Sequence, residues 1–223
     1  MGTYGDRGNA DVLAYRARLR DIKVELIDIS YLEDLPSSAD IYLLGGAEDF
    51  AQVLSAQALI ASPLKQVAER GAIVLAVCAG FQIIGNTFSA NAQSHAGIGL
   101  IDVDSRAPQG PHPVRSVGEV RAYSHTIGVE LTGFENHAGH TLLGDGVESL
   151  GVIKSGFGNG DAIHEGAVVG NIFGTYLHGP VLARNPEFAD LLLERATGAN
   201  LPLLEASENE LAATYAHWRR CAS

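Results

Sequence analysis

The sequence predicts an α/β fold: a mostly parallel sheet covered on both faces, with antiparallel strands added in the second half. Three observations carry this reading. Short, continuously apolar runs, "IYLLGG" at 41–46 and "AIVLAV" at 72–77, read as strands buried on both sides. Segments of helical period separate them, which gives the strand–helix alternation of a parallel sheet. After residue 97 the chain changes to short, turn-bounded segments rich in Val and Ile, which read as further strands, some of them antiparallel.

Each element follows from local chemistry. "MGTYGDRGN" opens with glycine-rich turn residues, and Asn9 is placed to cap a helix carrying Val12, Leu13, Ala17 and Leu19. Arg16, Arg18 and Arg20 read as the solvated face of that helix. "IKVELIDI" (22–29) alternates apolar and polar residues and runs into the loop "LEDLPSSAD". A doubly wound domain opens on a strand, whereas here a glycine-rich motif follows Met1 directly. Either a first strand is missing from this sequence, or the sheet begins with "IKVELIDI". A helical stretch covers about 50–70, with Pro63 dividing it in two. "GFQIIGNTF" begins the next helix. The later strands are "GIGLIDVD", "GEVRAY", "TIGVELTGFENH", "ESLGVIKSG" and "AVVGNIFGTYLHG", and helices at about 186–197 and 207–220 close the chain. The last helix carries Leu211, Tyr215 and Trp218 on one stripe, suited to packing on the core or on a partner. No repeat or linker divides the chain, so one domain is expected over 1–198 with a helical extension over 199–223.

Composition excludes several classes. A length of 223 residues suits one α/β domain with a full core. A formal net charge of -11 argues against a nucleic-acid partner. Two cysteines, Cys78 and Cys221, are too few for a disulfide scaffold and fit a reducing, cytoplasmic setting. No apolar run approaches the roughly 18 residues that span a bilayer, and no basic-then-apolar leader opens the chain, so no membrane insertion is expected. No metal site is expected. No G-x-x-x-x-G-K-[ST] loop is present, so any ATP-dependent step belongs to another chain.

The residues able to do chemistry lie at strand ends. Cys78 follows the apolar strand and is flanked by Ala76, Val77, Ala79 and Gly80, small residues that suit a nucleophile elbow. There a helix N-terminus would favour the thiolate, and the Ala79 N–H would face a developing oxyanion. A buried core thiol is the plainer alternative. Gly45 and Gly46 end the neighbouring strand, where ligand sites occur in open α/β sheets and where glycine lets a backbone N–H approach a substrate; an ordinary strand-to-helix turn would look the same. Of eight histidines, His95, His112, His125, His140, His164 and His217 sit in polar or glycine-rich surroundings and read as surface residues. His178 ends the apolar strand of "NIFGTYLHGP", the same topological position as Cys78 and the two glycines. Taken alone it could equally be a core or capping residue.

Together, "GG" after a strand, "VCAGFQIIG" and "GTYLHGP" in this order resemble class I glutamine amidotransferase domains of the cobyric acid synthase-like branch. The likeness is greatest to the glutaminase subunits of lipid II isoglutaminyl synthases. It extends to "YGDRGN", "PVRSVGEV", "GFENHAGHT", "GFGNGD" and "YLHGPVLARNP" and covers most of residues 4–186. The resemblance implies a flavodoxin-like three-layer sandwich that hydrolyses glutamine to glutamate and ammonia. Cys78 would attack the side-chain amide, the N–H groups of Gly46 and Ala79 would hold the oxyanion, and His178 would move the protons. Gly45, Gln82 and Arg115 match substrate-binding positions, with Arg115 pairing to the α-carboxylate of glutamine. Glu135 and His137 of "FENH" fit either a pocket lining or a structural role.

Many class I amidotransferases carry an acid two residues after the histidine, but here the run is His178, Gly179, Pro180. The resemblance therefore implies that a Mur-ligase-like (MurT-like) partner subunit supplies the acid, leaving the isolated chain a weak glutaminase; an internal acid such as Glu187 is the alternative. The partner would also bind ATP and Mg, with no cofactor in this chain, and use the ammonia on the D-glutamate α-carboxyl of lipid II at the inner face of the membrane. Three other readings compete: a glutaminase serving another amidation such as cobyric acid synthesis, a non-glutaminase thiol hydrolase, and an inactive binding module. Arg115 and "GTYLHGP" argue against the second, and retention of both Cys78 and His178 argues against the third.

Overall fold

The run Ile73–Val77 is buried at every position, and the central sheet assembles around it. The computed structural model describes residues 6–108 and 115–204. In chain order its elements are α1 (Gly8–Arg18), β1 (Ile41–Leu44), α2 (Asp49–Ile60), α3 (Leu64–Glu69), β2 (Ile73–Val77), α4 (Ala79–Ile84), β3 (Thr87–Ala90), β4 (Gln93–Ala96), β5 (Val103–Arg106), β6 (Ser116–Ser124), β7 (Val129–His137), β8 (His140–Leu143), β9 (Gly151–Ser155), β10 (His164–Glu165), β11 (Ala167–Val169), β12 (Ile172–Thr175), α5 (Val181–Arg184) and α6 (Pro186–Thr197).

The central sheet has the order β1-β2-β12-β11, with β1, β2 and β12 parallel and β11 antiparallel at the edge. Two further four-stranded sheets, β10-β9-β6-β7 and β4-β3-β5-β8, hold the remaining strands. The added antiparallel strands of the second half are thus present, and they outnumber the parallel ones. Helices cover both faces of the central sheet. Phe173 of β12 meets Phe188 of α6 edge-on at 5.3 Å, while the next residue, Gly174, lies under Phe81 of α4. Successive strand residues face opposite sides, so α6 and α4 lie on opposite faces.

Several sequence expectations change in the structure. "IKVELIDI" forms no strand. Its residues Glu25–Ile29 line a groove of about 660 Å³ together with Ile41–Leu44 of β1, and the described sheet begins at Ile41. Alternation permits a strand, but a strand also needs a ladder, and none reaches this stretch. Asn9 does not cap α1; Arg7 precedes the helix, and the buried Asn9 Oδ1 accepts the Leu182 N–H at 2.9 Å. The arginine face is not solvated either. Arg16 Nε and Nη2 reach the two oxygens of Asp190 at 2.7 Å, and Arg20 Nη2 joins at 2.9 Å, so only Arg18 of the three is exposed. This part-buried fork clamps α1 to α6. The helix begun by "GFQIIGNTF" stops at Ile84, and Thr87 already opens β3.

Other expectations hold. Pro63 separates α2 from α3, and α6 runs from Pro186 to a left-handed Gly198 cap. The predicted helix at 207–220 lies outside the described residues. No helix among the described residues is long and apolar enough to cross a membrane.

Gly174 makes the packing testable. A Cβ there would sit 2.0 Å from Phe81 Cδ2. Gly174→Ala is expected to destabilise the fold by about 1–3 kcal/mol through overpacking, read as a lower urea midpoint at unchanged slope. An unchanged midpoint would mean that α4 shifts freely over the sheet.

Candidate active site

Parallel pairing of β2 with β12 sets Thr175 beside Val77 and brings Cys78 to the same rim as His178. Cys78 has φ +55° and ψ −109°, a conformation that costs a non-glycine residue about 1–3 kcal/mol. Two bonds hold it there: its N–H donates to Thr175 O at 2.8 Å, and its C=O accepts the Gln82 N–H at 3.0 Å. Gly80 allows the turn to close, since a Cβ at that position would lie 2.6 Å from Leu44 O. This strained turn between β2 and α4 has the strand-to-helix geometry that the small flanking residues predict.

His178 is fixed at both ends of its backbone. Its N–H donates to Phe134 O at 2.8 Å, and its C=O accepts the Phe134 N–H at 3.1 Å. Its ring Nδ1 lies 3.0 Å from Asp6 Oδ1, with both side chains 1% exposed. Cys78, 9% exposed, stands on the same rim, near enough to bear on the charge of the ring. Burial alone would lower the imidazole pKa. The Asp6 hydrogen bond, the Cys78 contact and the charges of both outweigh it, and the net effect is a rise to about 9. His178 therefore carries its second proton at neutral pH.

A carboxylate of this chain, Asp6, thus lies beside the ring nitrogen where an acid from a partner subunit was expected. Glu187, the internal alternative, lies exposed in the first turn of α6. Asp6 was missed because it belongs to a glycine-rich turn with no strand end to mark it; its only signal was membership in "YGDRGN". The turn is pressed onto the rim by Gly8, whose absent Cβ leaves room for Pro180 at 2.5 Å, and by the Asn9–Leu182 bond.

The remaining predicted residues occupy varied places. Gly45 and Gly46 follow β1 at its carboxyl end, but the Gly46 N–H donates to Asp6 Oδ2 at 2.7 Å. That amide is therefore committed to the acid in this structure rather than to an oxyanion. Ala79 opens α4, where a helix N–H has no intrahelical acceptor. Gln82 departs from the expected substrate contact. Its side chain is buried, accepting from Gln52 Nε2 at 2.7 Å and donating to Tyr176 Oη at 3.1 Å, a brace beneath the site. Arg115 is exposed, with Nε on Asn136 Oδ1 and Nη2 on Asn136 O at 3.1 Å, and so it is planted on β7 two residues from Phe134. Glu135 and His137 take the structural option. Glu135 accepts the Phe157 and Gly158 N–H groups at 3.0 Å each, and His137 stacks on Tyr176 at 3.7 Å. His95, His125, His140 and His164 are half-buried or exposed, while His112 and His217 lie outside the described residues. Among the described residues no group of three or more His, Cys, Asp or Glu could hold a metal ion.

Residues 1–186 match the CobB/CobQ-like glutamine amidotransferase domain. The chain belongs to this family. Among relatives of this amidotransferase domain, the lipid II isoglutaminyl synthase (glutamine-hydrolyzing) subunit GatD of Staphylococcus aureus is 36% identical over 201 residues, covering 88% of this chain and 80% of that protein. GatD of Streptococcus pneumoniae is 32% identical, covering 88% and 76%. A probable cobyric acid synthase of Methanopyrus kandleri is 31% identical over 71% of this chain and 34% of its own length. Solved structures share the fold: a glutamine amidotransferase at TM-score 0.53 and 16% identity, covering 71% of this chain and 79% of its own, and PurLQS from Thermotoga maritima at 0.54 and 13%, covering 84% and 91%. The class I amidotransferase fold read from the sequence is therefore correct.

The raised pKa of His178 gives a stability test. A histidine raised from 6.5 to about 9 contributes stability that is full below 6.5 and lost as pH rises through about 9. The deficit in urea midpoint of Asp6→Asn relative to wild type is expected to be largest below pH 6.5 and to shrink as pH passes 9. A deficit independent of pH would contradict the assignment of Asp6 as the cause.

Proposed function

We propose that this amidotransferase hydrolyses L-glutamine through a Cys78 thioester and hands the ammonia to an ATP-dependent, Mur-ligase-like partner that amidates lipid II. The observation that carries the chemistry is His178 lying between the Cys78 thiol and the Asp6 carboxylate, all within one chain. The proton that leaves Cys78 as it attacks is carried by His178, whose imidazolium Asp6 stabilises. Sγ attacks the side-chain carbonyl carbon of glutamine, and the C=O electrons move onto oxygen. The Ala79 N–H faces that oxyanion; the Gly46 N–H joins it only by leaving Asp6 Oδ2. As the intermediate collapses, the C–N bond breaks and His178 gives its proton to the departing ammonia. Water then attacks the thioester, its proton passes to His178, and the C–S bond breaks to release glutamate.

Arg115, on the exposed lip beside β7, is read as the partner of the substrate α-carboxylate. The acyl acceptor rests on the likeness to the two GatD subunits, which are named for lipid II. Activation of its D-glutamate α-carboxyl requires ATP and Mg on the partner subunit. Since a lipid carries that acceptor, the complex would act at the inner face of the membrane. Asp6 supplies the orienting acid within this chain, so the partner receives ammonia rather than completing the triad.

Glutamate release by the isolated chain and by its complex with the partner tests this. Cys78→Ala is expected to release none, and Asp6→Asn to lower kcat on the order of a thousandfold. Arg115→Ala is expected to raise KM at least about tenfold with kcat little changed, the signature of lost substrate binding. No release by folded wild type in either form would refute the glutaminase reading.

A further inference from the structure

Glu165 is fully buried at the end of β10, and no step of the proposed reaction touches it. Its Oε1 accepts the Thr175 hydroxyl at 2.5 Å and the Tyr176 N–H at 2.9 Å. The Thr175 hydroxyl oxygen in turn accepts the Leu177 N–H at 3.0 Å. Thr175 O is the acceptor for the Cys78 N–H, and Leu177 leads directly into His178. One carboxyl oxygen therefore pins the turn from which both reacting side chains are held. The other oxygen, Oε2, is buried with no hydrogen-bond partner among the described residues.

We infer that Glu165 is a positioning residue for Cys78 and His178, acting through the Thr175–Leu177 turn; the inference rests on the glutaminase reading. A neutral carboxyl suits the place. It keeps both bonds at Oε1 and leaves no unpaired charge on the buried Oε2. Burial raises its pKa most, the Thr175 and Tyr176 bonds lower it, Glu135 on β7 raises it and His178 lowers it, with a net value of about 7. Gly151, opposite on β9, brings no charge. Ionisation would add a second anion near His178 besides Asp6, holding the imidazolium proton more tightly and slowing its delivery to ammonia. Wild-type kcat should therefore fall as Glu165 ionises, and Glu165→Gln, which keeps the acceptor and cannot ionise, should remove that fall.

The test compares wild type, Glu165→Gln, Glu165→Leu and Thr175→Val, all in a Cys221→Ser background, with urea midpoints to measure the folded fraction. The readouts are kcat and KM for glutamine, and the rate of Cys78 alkylation by iodoacetamide, each across the neutral pH range. Glu165→Leu and Thr175→Val are expected to lower kcat by about a hundredfold, the scale of a 1 Å misplacement, and to change the pH profile of alkylation, with KM within about twofold. Glu165→Gln is expected to keep kcat and to lose the alkaline fall. The inference is overturned if Glu165→Leu keeps the wild-type kcat and alkylation profile, or if activity is lost only in proportion to unfolding. Should Glu165→Leu not fold, the Thr175→Val and Glu165→Gln profiles decide. Should folded wild type release no glutamate, the glutaminase reading fails, while the alkylation profiles still decide whether Glu165 positions Cys78.

Discussion

The hydrogen bond between Asp6 and His178 joins residues 172 positions apart in a place from which water is excluded. A buried carboxylate is costly unless both of its oxygens find donors. Here Oδ1 takes the imidazole and Oδ2 takes the Gly46 amide, so one side chain ties the end of β1 to the end of β12, and through His178 to Cys78 at the end of β2. Three strand ends become one rim. The N-terminal turn can deliver this acid only if α1 is held in place, which is the work of the Arg16 and Arg20 fork on Asp190, the Asn9–Leu182 bond and the Gly8–Pro180 contact.

The strain at Cys78 needs comparable support, because a left-handed cysteine relaxes unless its neighbours forbid it. Beneath it runs a buried polar chain from Gln52 through Gln82, Tyr176 and Thr141 to Ser105, with links of 2.7, 3.1, 2.7 and 2.7 Å. This chain joins α2, α4, the segment that follows β12, β8 and β5. Glu165 pins the turn beside it from another direction.

Much of this was legible in the sequence for a physical reason. Strands such as Ile73–Val77 are apolar throughout because both faces are covered, and such a run marks its own carboxyl end, where Cys78, His178 and the paired glycines stand. The later antiparallel strands were legible from their turn-bounded Val and Ile content. Contacts set by tertiary structure were not. Nothing local distinguishes a solvated arginine from Arg16, whose partner Asp190 lies in α6, or an ordinary turn aspartate from Asp6. The alternation of "IKVELIDI" likewise says nothing about whether a neighbouring strand is present to pair with it. Gln82 was read as a substrate contact from its position after the elbow, whereas its amide is drawn inward by Gln52 and Tyr176.

On the proposed function, this chain orients its own His178 through Asp6. The most direct measurement is nitrogen-15 NMR of the His178 ring in the isolated protein and in Asp6→Asn. The account predicts a protonated Nδ1 with a downfield, hydrogen-bonded proton in the isolated wild type, and its loss in the variant. A His178 ring that shows no such proton until a partner subunit is added would contradict the account and return the orienting acid to the partner.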